Sequence, residues 1–226
     1  MADPYRKLSR PEASDAVTRL GWRLALGELR TEVRTGSLVL AADVAGRAAV
    51  VAGAQGHLRL DIRADRVLLA LQTAAAAWVT ERDVELARNI STVVDEMRLE
   101  TVSGVGLDGG GERAVQVLEI AIDALDAAAI RPFWRAVLGY VDEPGRTGPW
   151  DGLIDPLAQG PAVWFQEMDA PRPQRNRIHV DVSVPHDEAE PRIRAALAAG
   201  GKLLGDAEAP AFWVLADAEG SGTFSV

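Results

Sequence analysis

Residues 56–97 constrain the fold more than any other stretch, because two strand-like segments run directly into an amphipathic one. In the first segment His57, Arg59 and Asp61 alternate with apolar residues, as on a strand with one buried face. A two-residue turn then leads into 66–73, which is richer in Val and Leu and is typical of a more buried strand. The pattern predicts a hairpin with one polar face.

The third segment has the pattern of a capped helix that packs against the hairpin. Thr80 with Asp83 three residues later predicts the helix start, since a hydroxyl and a carboxylate at this spacing satisfy the first backbone N–H groups. Apolar residues at helical spacing predict one covered face: Val84, Ala87, Ile90, Val94 and Met97. A polar-faced hairpin crossed by a helix is expected to carry a pocket.

The residues before this stretch complete an α+β unit. The patterns predict a short helix over 10–17, a strand over 22–34 and a long helix over 37–54 that Ser37 caps. The predicted order is therefore helix, strand, helix, two strands, helix, and residues 1–98 are expected to form one domain.

Residues 56–83 resemble the pterin-4a-carbinolamine dehydratases, whose pattern is a His-His-Pro strand, a return ending in Thr-His, and a Gly-Gly-Leu-Thr-x-x-Asp helix start. Gly56-His57-Leu58 stands at the first motif, Thr73-Ala74 at the second and residues 77–83 (AWVTERD) at the third. The resemblance implies the family's α+β fold. It also implies that His57 is the one residue kept of three histidines that bind the pterin and move its proton.

His57 is the main candidate for catalysis in the first domain. Imidazole serves as acid or base near neutral pH, so His57 could act as a single general base with Asp61 or Arg59 nearby. The alternative is a histidine that only hydrogen-bonds a neighbouring carboxylate. Arg59 either orients an anionic ligand or pairs across the exposed face. Trp78, which replaces a glycine of the family pattern, is expected to reshape the pocket and contact the substrate.

A run of three glycines predicts a linker over 99–113 and a second domain over 114–226. The second domain shows the order strand, helix, short strands twice, which indicates an internal repeat. The predicted strands that open the two copies cover 115–122 and 178–184, and the helices cover 126–138 and 187–199.

Four segments of this second domain resemble the glyoxalase-like branch of the vicinal-oxygen-chelate superfamily: FWRAVLGY (133–140), PAVWFQEM (161–168), RNRIHVDVSVP (175–185) and ADAEG (216–220). The resemblance implies two paired βαβββ modules that form a cupped sheet. The predicted fold class is thus α+β, a pterin-dehydratase-like domain followed by a glyoxalase-like domain, a pairing familiar in actinobacterial proteins.

Strand alternation places polar residues of the second domain on one face. Glu119, Gln166 and His179 are predicted to converge in the cup, where they could hold a divalent metal, although the superfamily's fourth ligand position falls near Phe224 and offers no carboxylate. Alternatively, Glu119 is salt-bridged and His179 only hydrogen-bonds. His179 is also a candidate acid–base residue. Further predicted substrate contacts are Glu119, Trp164, Gln166, Asp181 and Trp213.

The amino-acid composition excludes several classes of site and partner. The absence of cysteine excludes disulfides, thiolate catalysis and cysteine-based zinc sites, and the net charge of −9 disfavours nucleic acid and anionic membranes. No apolar run approaches the ~20 residues of a membrane span, and no signal-peptide core is evident, so a cytoplasmic protein is expected.

We expect an enzyme of specialised small-molecule metabolism that catalyses a dehydration, cyclisation or isomerisation without a tightly bound cofactor. The alternatives are a non-catalytic small-molecule binding or resistance protein, or an authentic pterin-4a-carbinolamine dehydratase. The resemblances also imply a possible homodimer.

Overall fold

The structure of the protein, a computed structural model, describes residues 3–52, 56–107, 111–171, 180–220 and 224–225. The chain forms two compact units, Met1–Val117 and Leu118–Val226. Each unit contains both helices and strands, which confirms the predicted α+β class. Among the helices of these described ranges, none has the length and apolar character needed to span a bilayer.

The first unit places three α-helices against one sheet. The helices are α1 (Arg10–Val17), α2 (Leu38–Ala52) and α3 (Glu81–Glu96). The strands are β1 (Arg23–Ala25), β2 (Glu28–Arg34), β3 (Leu58–Ile62), β4 (Arg66–Leu71), β5 (Thr101–Val102), β6 (Gly104–Leu107) and β7 (Gly111–Ala114). The sheet order is β1-β2-β4-β3 with β5 also paired to β2, while β6 and β7 form a separate hairpin.

Helix α3 begins where the sequence predicts. Thr80 and Asp83 form a capping box, and the apolar stripe of the helix faces the sheet, where Val84, Ile90 and Val94 are buried. The core beneath includes Trp22, whose indole Nε1 donates a hydrogen bond to Ser91 Oγ at 3.0 Å. The helix start is therefore fixed both locally and by burial of one face.

Two sequence predictions for the first unit are wrong. The single strand predicted over 22–34 is the hairpin β1–β2, because Leu26 and Gly27 both have positive φ (47° and 75°) and turn the chain. The predicted linker over 99–113 contains β5, β6 and part of β7. Residues 104–107 pair with residues 111–114 in antiparallel register, so the described residues on both sides of this stretch belong to a hairpin.

The second unit contains two successive βαβββ modules, as the repeat predicts. The first consists of β8 (Glu119–Ala124), α4 (Ala127–Leu138), β9 (Val141–Asp142), β10 (Leu153–Ile154) and β11 (Ala162–Glu167). The second consists of β12 (Val180–Asp181), α5 (His186–Ala198), β13 (Lys202–Gly205), β14 (Val214–Ala216) and β15 (Phe224–Ser225). Their sheets have the orders β8-β11-β10-β9 and β12-β15-β14-β13.

Helix α4 joins the two modules through a compact core. Asp126 caps its start, and Gly139 ends it in the left-handed conformation. Phe133 and Trp134 pack edge to face with ring centroids 5.7 Å apart, and the Trp134 indole donates to Asp217 at 3.0 Å. Strand β8 begins later than the predicted 115–122, and its ladder with β11 starts at the pair Glu119–Ala162.

Candidate active site

His57 lies immediately before β3, at the open end of the β3–β4 hairpin. Gly56 precedes it with φ of 83°, a left-handed conformation that glycine adopts without steric cost. The His57 carbonyl accepts a hydrogen bond from the Gln72 N–H at 3.0 Å, and the Gly56 carbonyl accepts one from the Ala74 N–H at 3.0 Å. The hairpin ladder thus continues past the strands and fixes the backbone that carries the imidazole.

Asp83 orients the imidazole of His57. The distance from His57 Nδ1 to Asp83 Oδ1 is 2.8 Å, the carboxylate is fully buried, and only 10% of the His57 side chain is exposed. Because an ionised carboxylate can only accept, Nδ1 carries the hydrogen of the neutral ring and Nε2 keeps the lone pair. The hydrogen bond to Asp83 therefore fixes the orientation of the ring, so that the Nε2 lone pair can act as a base in one direction.

The second oxygen of Asp83 is held by the helix start. The Thr80 backbone N–H donates to Asp83 Oδ2 at 2.7 Å. The hydroxyls of Thr73 and Thr80 lie 2.8 and 3.0 Å from the same oxygen and 2.7 Å from one another. A buried carboxylate needs such partners to remain charged, and here they also prevent it from rotating away from His57.

Tyr5 covers one side of the same imidazole. Its ring stacks on that of His57 with centroids 6.2 Å apart and an interplanar angle of 26°, while 59% of Tyr5 is exposed. An exposed aromatic ring beside an oriented histidine offers a flat surface to an organic ligand.

The segment that carries Tyr5, residues 3–9, is tied to the start of α3, and we call it the N-terminal strap. The Leu8 N–H donates to the Val79 carbonyl at 3.1 Å, and the Arg82 N–H donates to the Pro4 carbonyl at 2.8 Å. The indole of Trp78 donates to the Leu8 carbonyl at 2.7 Å. These contacts hold Tyr5 over the site.

Charged groups reinforce the strap. Arg6 pairs with Glu81 at 2.6 Å and with Glu12 at 3.1 Å. Hydrogen bonding with Ser9, through its side chain and then its backbone, and the bond from Arg6 together lower the pKa of Glu12 to about 2. Glu12 therefore stays ionised well into the acid range.

The structure separates the other residues predicted for the first unit from His57. Asp61 pairs with Arg63 at 2.6 Å, and half of its side chain is exposed. Four residues along a strand correspond to about 13 Å, so Asp61 is not the partner of the imidazole. Arg59 makes two hydrogen bonds to Glu28, at 3.0 and 2.9 Å, which matches the alternative of pairing across the sheet face.

Trp78 packs between the core and the N-terminal strap. Its ring packs against the core and lies close to Gly27, where an added Cβ would come within 2.8 Å of the ring. With its indole bonded to Leu8, Trp78 anchors the strap. The predicted contact with a substrate remains a prediction.

Sequence reasoning missed the role of Asp83. It identified Asp83 only as the first-turn carboxylate that follows the cap residue Thr80, and it named no carboxylate of α3 as the partner of His57. The short connection from Thr73 to the capped helix start is a signal that the helix begins near the open end of the hairpin, but spacing does not show which carboxylate faces His57. Tyr5 had no such signal.

In the second unit the predicted polar face of the sheet exists, but the polar side chains predicted to meet on it do not come together. On β11, Trp164 and Gln166 are exposed while Val163 and Phe165 are buried. The parallel register places Gln166 beside Asp123 and Glu119 beside Ala162. Glu119 and Gln166 therefore lie at opposite ends of the strand pair, about 13 Å apart, which overturns their predicted convergence.

No metal site is formed by the described residues: within these ranges no group of three or more His, Asp or Glu is placed to hold an ion. His179, the remaining predicted ligand and acid–base candidate, lies outside the described residues. Asp181 is exposed, and Trp213 packs partly buried against the core of the unit. The predicted substrate contacts of Trp164, Asp181 and Trp213 remain predictions.

Comparison with known proteins divides the chain at the same place. Residues 6–93 match the family model "Pterin 4 alpha carbinolamine dehydratase", and residues 119–225 match the model "Glyoxalase-like domain". A curated relative from Mycolicibacterium smegmatis, described as "Putative pterin-4-alpha-carbinolamine dehydratase", is 34% identical over 91 residues, which are 39% of this chain and 97% of the relative.

Two solved structures are similar to parts of the chain. A transcriptional coactivator/pterin dehydratase from Brucella melitensis is 23% identical, with a TM-score of 0.36, and the match covers 39% of this chain and 98% of that one. A glyoxalase/bleomycin resistance protein/dioxygenase family enzyme from Burkholderia phytofirmans is 18% identical, with a TM-score of 0.34, and the match covers 47% and 93%.

Proposed function

The chain belongs to the pterin-4a-carbinolamine dehydratase family through residues 6–93 and carries a glyoxalase-like domain over 119–225, and on this premise we propose that it is a dehydratase that uses His57 as its single proton carrier. The substrate class is a small heterocycle with a hydroxyl group on the carbon next to a ring N–H. The observation that carries the proposal is the 2.8 Å contact between His57 Nδ1 and the buried carboxylate of Asp83.

The proposed reaction needs only one imidazole. Nε2 of His57 takes the proton from the substrate N–H, and the resulting imidazolium is stabilised by Asp83. As the C–O bond breaks and a C=N bond forms, the same proton passes to the departing hydroxyl. Water leaves, and the imidazole returns to its neutral form.

The replaced positions of the family pattern support a substrate range that is not restricted to the usual pterin. Gly56 and Ala74 stand where the family has its other two histidines, so the side chains that would bind a pterin there are missing. The remaining proton shuttle also suits a cyclisation or an isomerisation. A role in specialised metabolism follows from this loss of pterin-binding groups and belongs to the proposal.

The test uses a 4a-hydroxytetrahydropterin, the simplest carbinolamine of this class, and follows its loss by ultraviolet absorbance against the spontaneous rate. We expect wild-type protein to accelerate dehydration and His57→Gln to lose about 10²-fold or more of that acceleration, the usual contribution of a general acid–base group. A wild-type rate no faster than the spontaneous rate would reject the proposal.

The Asp61→Asn variant is the informative comparison. The sequence alone favours Asp61 as the partner of His57, whereas the structure places it about 13 Å farther along the strand and pairs it with Arg63. We expect Asp61→Asn to keep the wild-type rate. A loss as large as that of His57→Gln would instead support the sequence-based assignment.

A further inference from the structure

The second unit contains a hollow of about 300 Å³ that the mechanism at His57 does not use. Its apolar walls come from one helix and three strand regions: Trp134 and Leu138 of α4, Ile120, Val163, Val180 and Val182. Its volume lies at the lower end of the range for sites that enclose small molecules. We call it the helix-side hollow.

The helix-side hollow differs from the cup that the sequence predicts. Side chains alternate along a strand, so Ile120 points away from the face of Glu119, and Val163 points away from the face of Trp164. Trp164 is exposed on the sheet's open face, whereas Val163 is buried on the side of α4. A ligand in the hollow would thus lie between helix and sheet, and not on the open face.

The side chains with polar groups at the hollow are Tyr140, Ser183 and Asp181, and of these Asp181 carries the charge. The Tyr140 hydroxyl donates to the Pro161 carbonyl at 3.0 Å, which leaves only its oxygen lone pair for a ligand. Burial and then the nearby charge of Asp155 raise the pKa of Tyr140, so it keeps its proton. Asp181 also lines the hollow, is exposed and, among the described residues, makes no hydrogen bond or ion pair.

We propose that the helix-side hollow binds a compact apolar molecule that carries one cationic amine. The apolar body lies against α4 and the buried face of β8 and β11, and the amine reaches the carboxylate of Asp181. Two features support this combination: the walls are apolar, and the charged residue of the lining is the carboxylate Asp181. The site is independent of the reaction proposed at His57.

The test compares two ligands of the same shape by isothermal titration calorimetry on the full chain. The probes are 2-naphthylmethylamine, which is a cation at neutral pH, and 2-naphthylmethanol, which is neutral. We expect the amine to bind with one-to-one stoichiometry about fivefold more tightly than the alcohol, which corresponds to about 1 kcal/mol for a partly exposed charge pair.

Variants locate the binding. Asp181→Asn changes only an exposed side chain and is expected to remove the preference for the amine while both probes still bind. Asp187→Asn makes the same charge change at the exposed first turn of α5, away from the hollow, and should keep the preference. Absence of binding by the amine, equal affinities in wild-type protein, or a preference that survives Asp181→Asn would each overturn the proposal.

Discussion

Asp83 Oδ1 lies 2.8 Å from His57 Nδ1, while Oδ2 of the same carboxylate accepts the Thr80 N–H at 2.7 Å and thereby caps α3. One buried side chain therefore fixes both the start of a helix and the direction of an imidazole. The two tasks use different oxygens, so they can be separated by substitution.

Asp83→Asn is expected to slow turnover strongly and leave the fold intact. The asparagine carbonyl can still accept the Thr80 N–H, but its NH₂ group then faces His57 Nδ1. Because an NH₂ donates, the neutral ring would carry its hydrogen on Nε2 and lose its outward base. We expect a rate loss of about 10²–10⁴-fold, measured in the carbinolamine assay.

Asp83→Ala provides the control for the structural role. It removes the cap as well as the partner of His57, and the loss of a capping side chain typically costs about 0.5–2 kcal/mol of stability. Denaturant titration should show a lower midpoint for Asp83→Ala than for Asp83→Asn. Equal destabilisation by both variants would mean that asparagine does not preserve the cap.

Tyr5 is expected to act on substrate binding. Its exposed ring lies against His57, so Tyr5→Ala should raise KM about three- to tenfold, as expected for the loss of one aromatic contact of about 0.5–1.5 kcal/mol. Tyr5→Phe keeps the ring and should retain the wild-type KM. Steady-state kinetics of both variants give the answer: an unchanged KM in Tyr5→Ala would show that the ring does not contact the substrate.

Glu12 makes the strap sensitive to acid. Its pKa falls from the usual 4.5 to about 2 in the folded chain, so the ionised form stabilises the fold above pH 4.5. That contribution is lost as the pH falls from 4.5 through 2. We expect the difference in unfolding free energy between wild-type protein and Glu12→Gln to stay constant above pH 4.5 and to shrink below it, as measured by denaturant titration at several pH values. A difference that grows on acidification would contradict this assignment.

Gly201 lies against the core of the second unit. A Cβ at this position would meet the Phe133 ring at 2.4 Å and the Ala196 carbonyl oxygen at 2.8 Å. We expect Gly201→Ala to lower the unfolding free energy by about 1–3 kcal/mol through overpacking. Gly46 in α2 has no atom within 4 Å of an added Cβ, so Gly46→Ala should instead raise stability by about 0.5–1 kcal/mol. Calorimetric melting of both variants tests the contrast, and a neutral Gly201→Ala would show that Phe133 can move.

The local parts of the first unit could be predicted from the sequence because they depend on neighbouring residues. The Thr80–Asp83 cap and the hairpin near His57 follow from spacing alone. The contact between His57 and Asp83 could not be assigned in this way, since it forms only when the end of the hairpin meets the start of the helix. Residues of the same strand, Asp61 above all, are favoured by sequence proximity although a strand carries them away from the site.

The second unit shows a different limit. Alternation correctly predicted which face of β11 carries Trp164 and Gln166, because every strand has a period of two. Alternation gives no position along the strand, however, and the register with β8 places Glu119 and Gln166 at opposite ends. A convergent ligand set requires both the right face and the right register.

The most direct test of the account is a double-mutant cycle for His57→Gln and Asp83→Asn in the carbinolamine dehydration assay. If Asp83 acts through His57, either single substitution should cost about as much as both together, because groups that act as a unit are strongly non-additive. The account predicts that the double variant is no slower than His57→Gln alone. Losses that multiply in the double variant, or a His57→Gln variant with the wild-type rate, would contradict it.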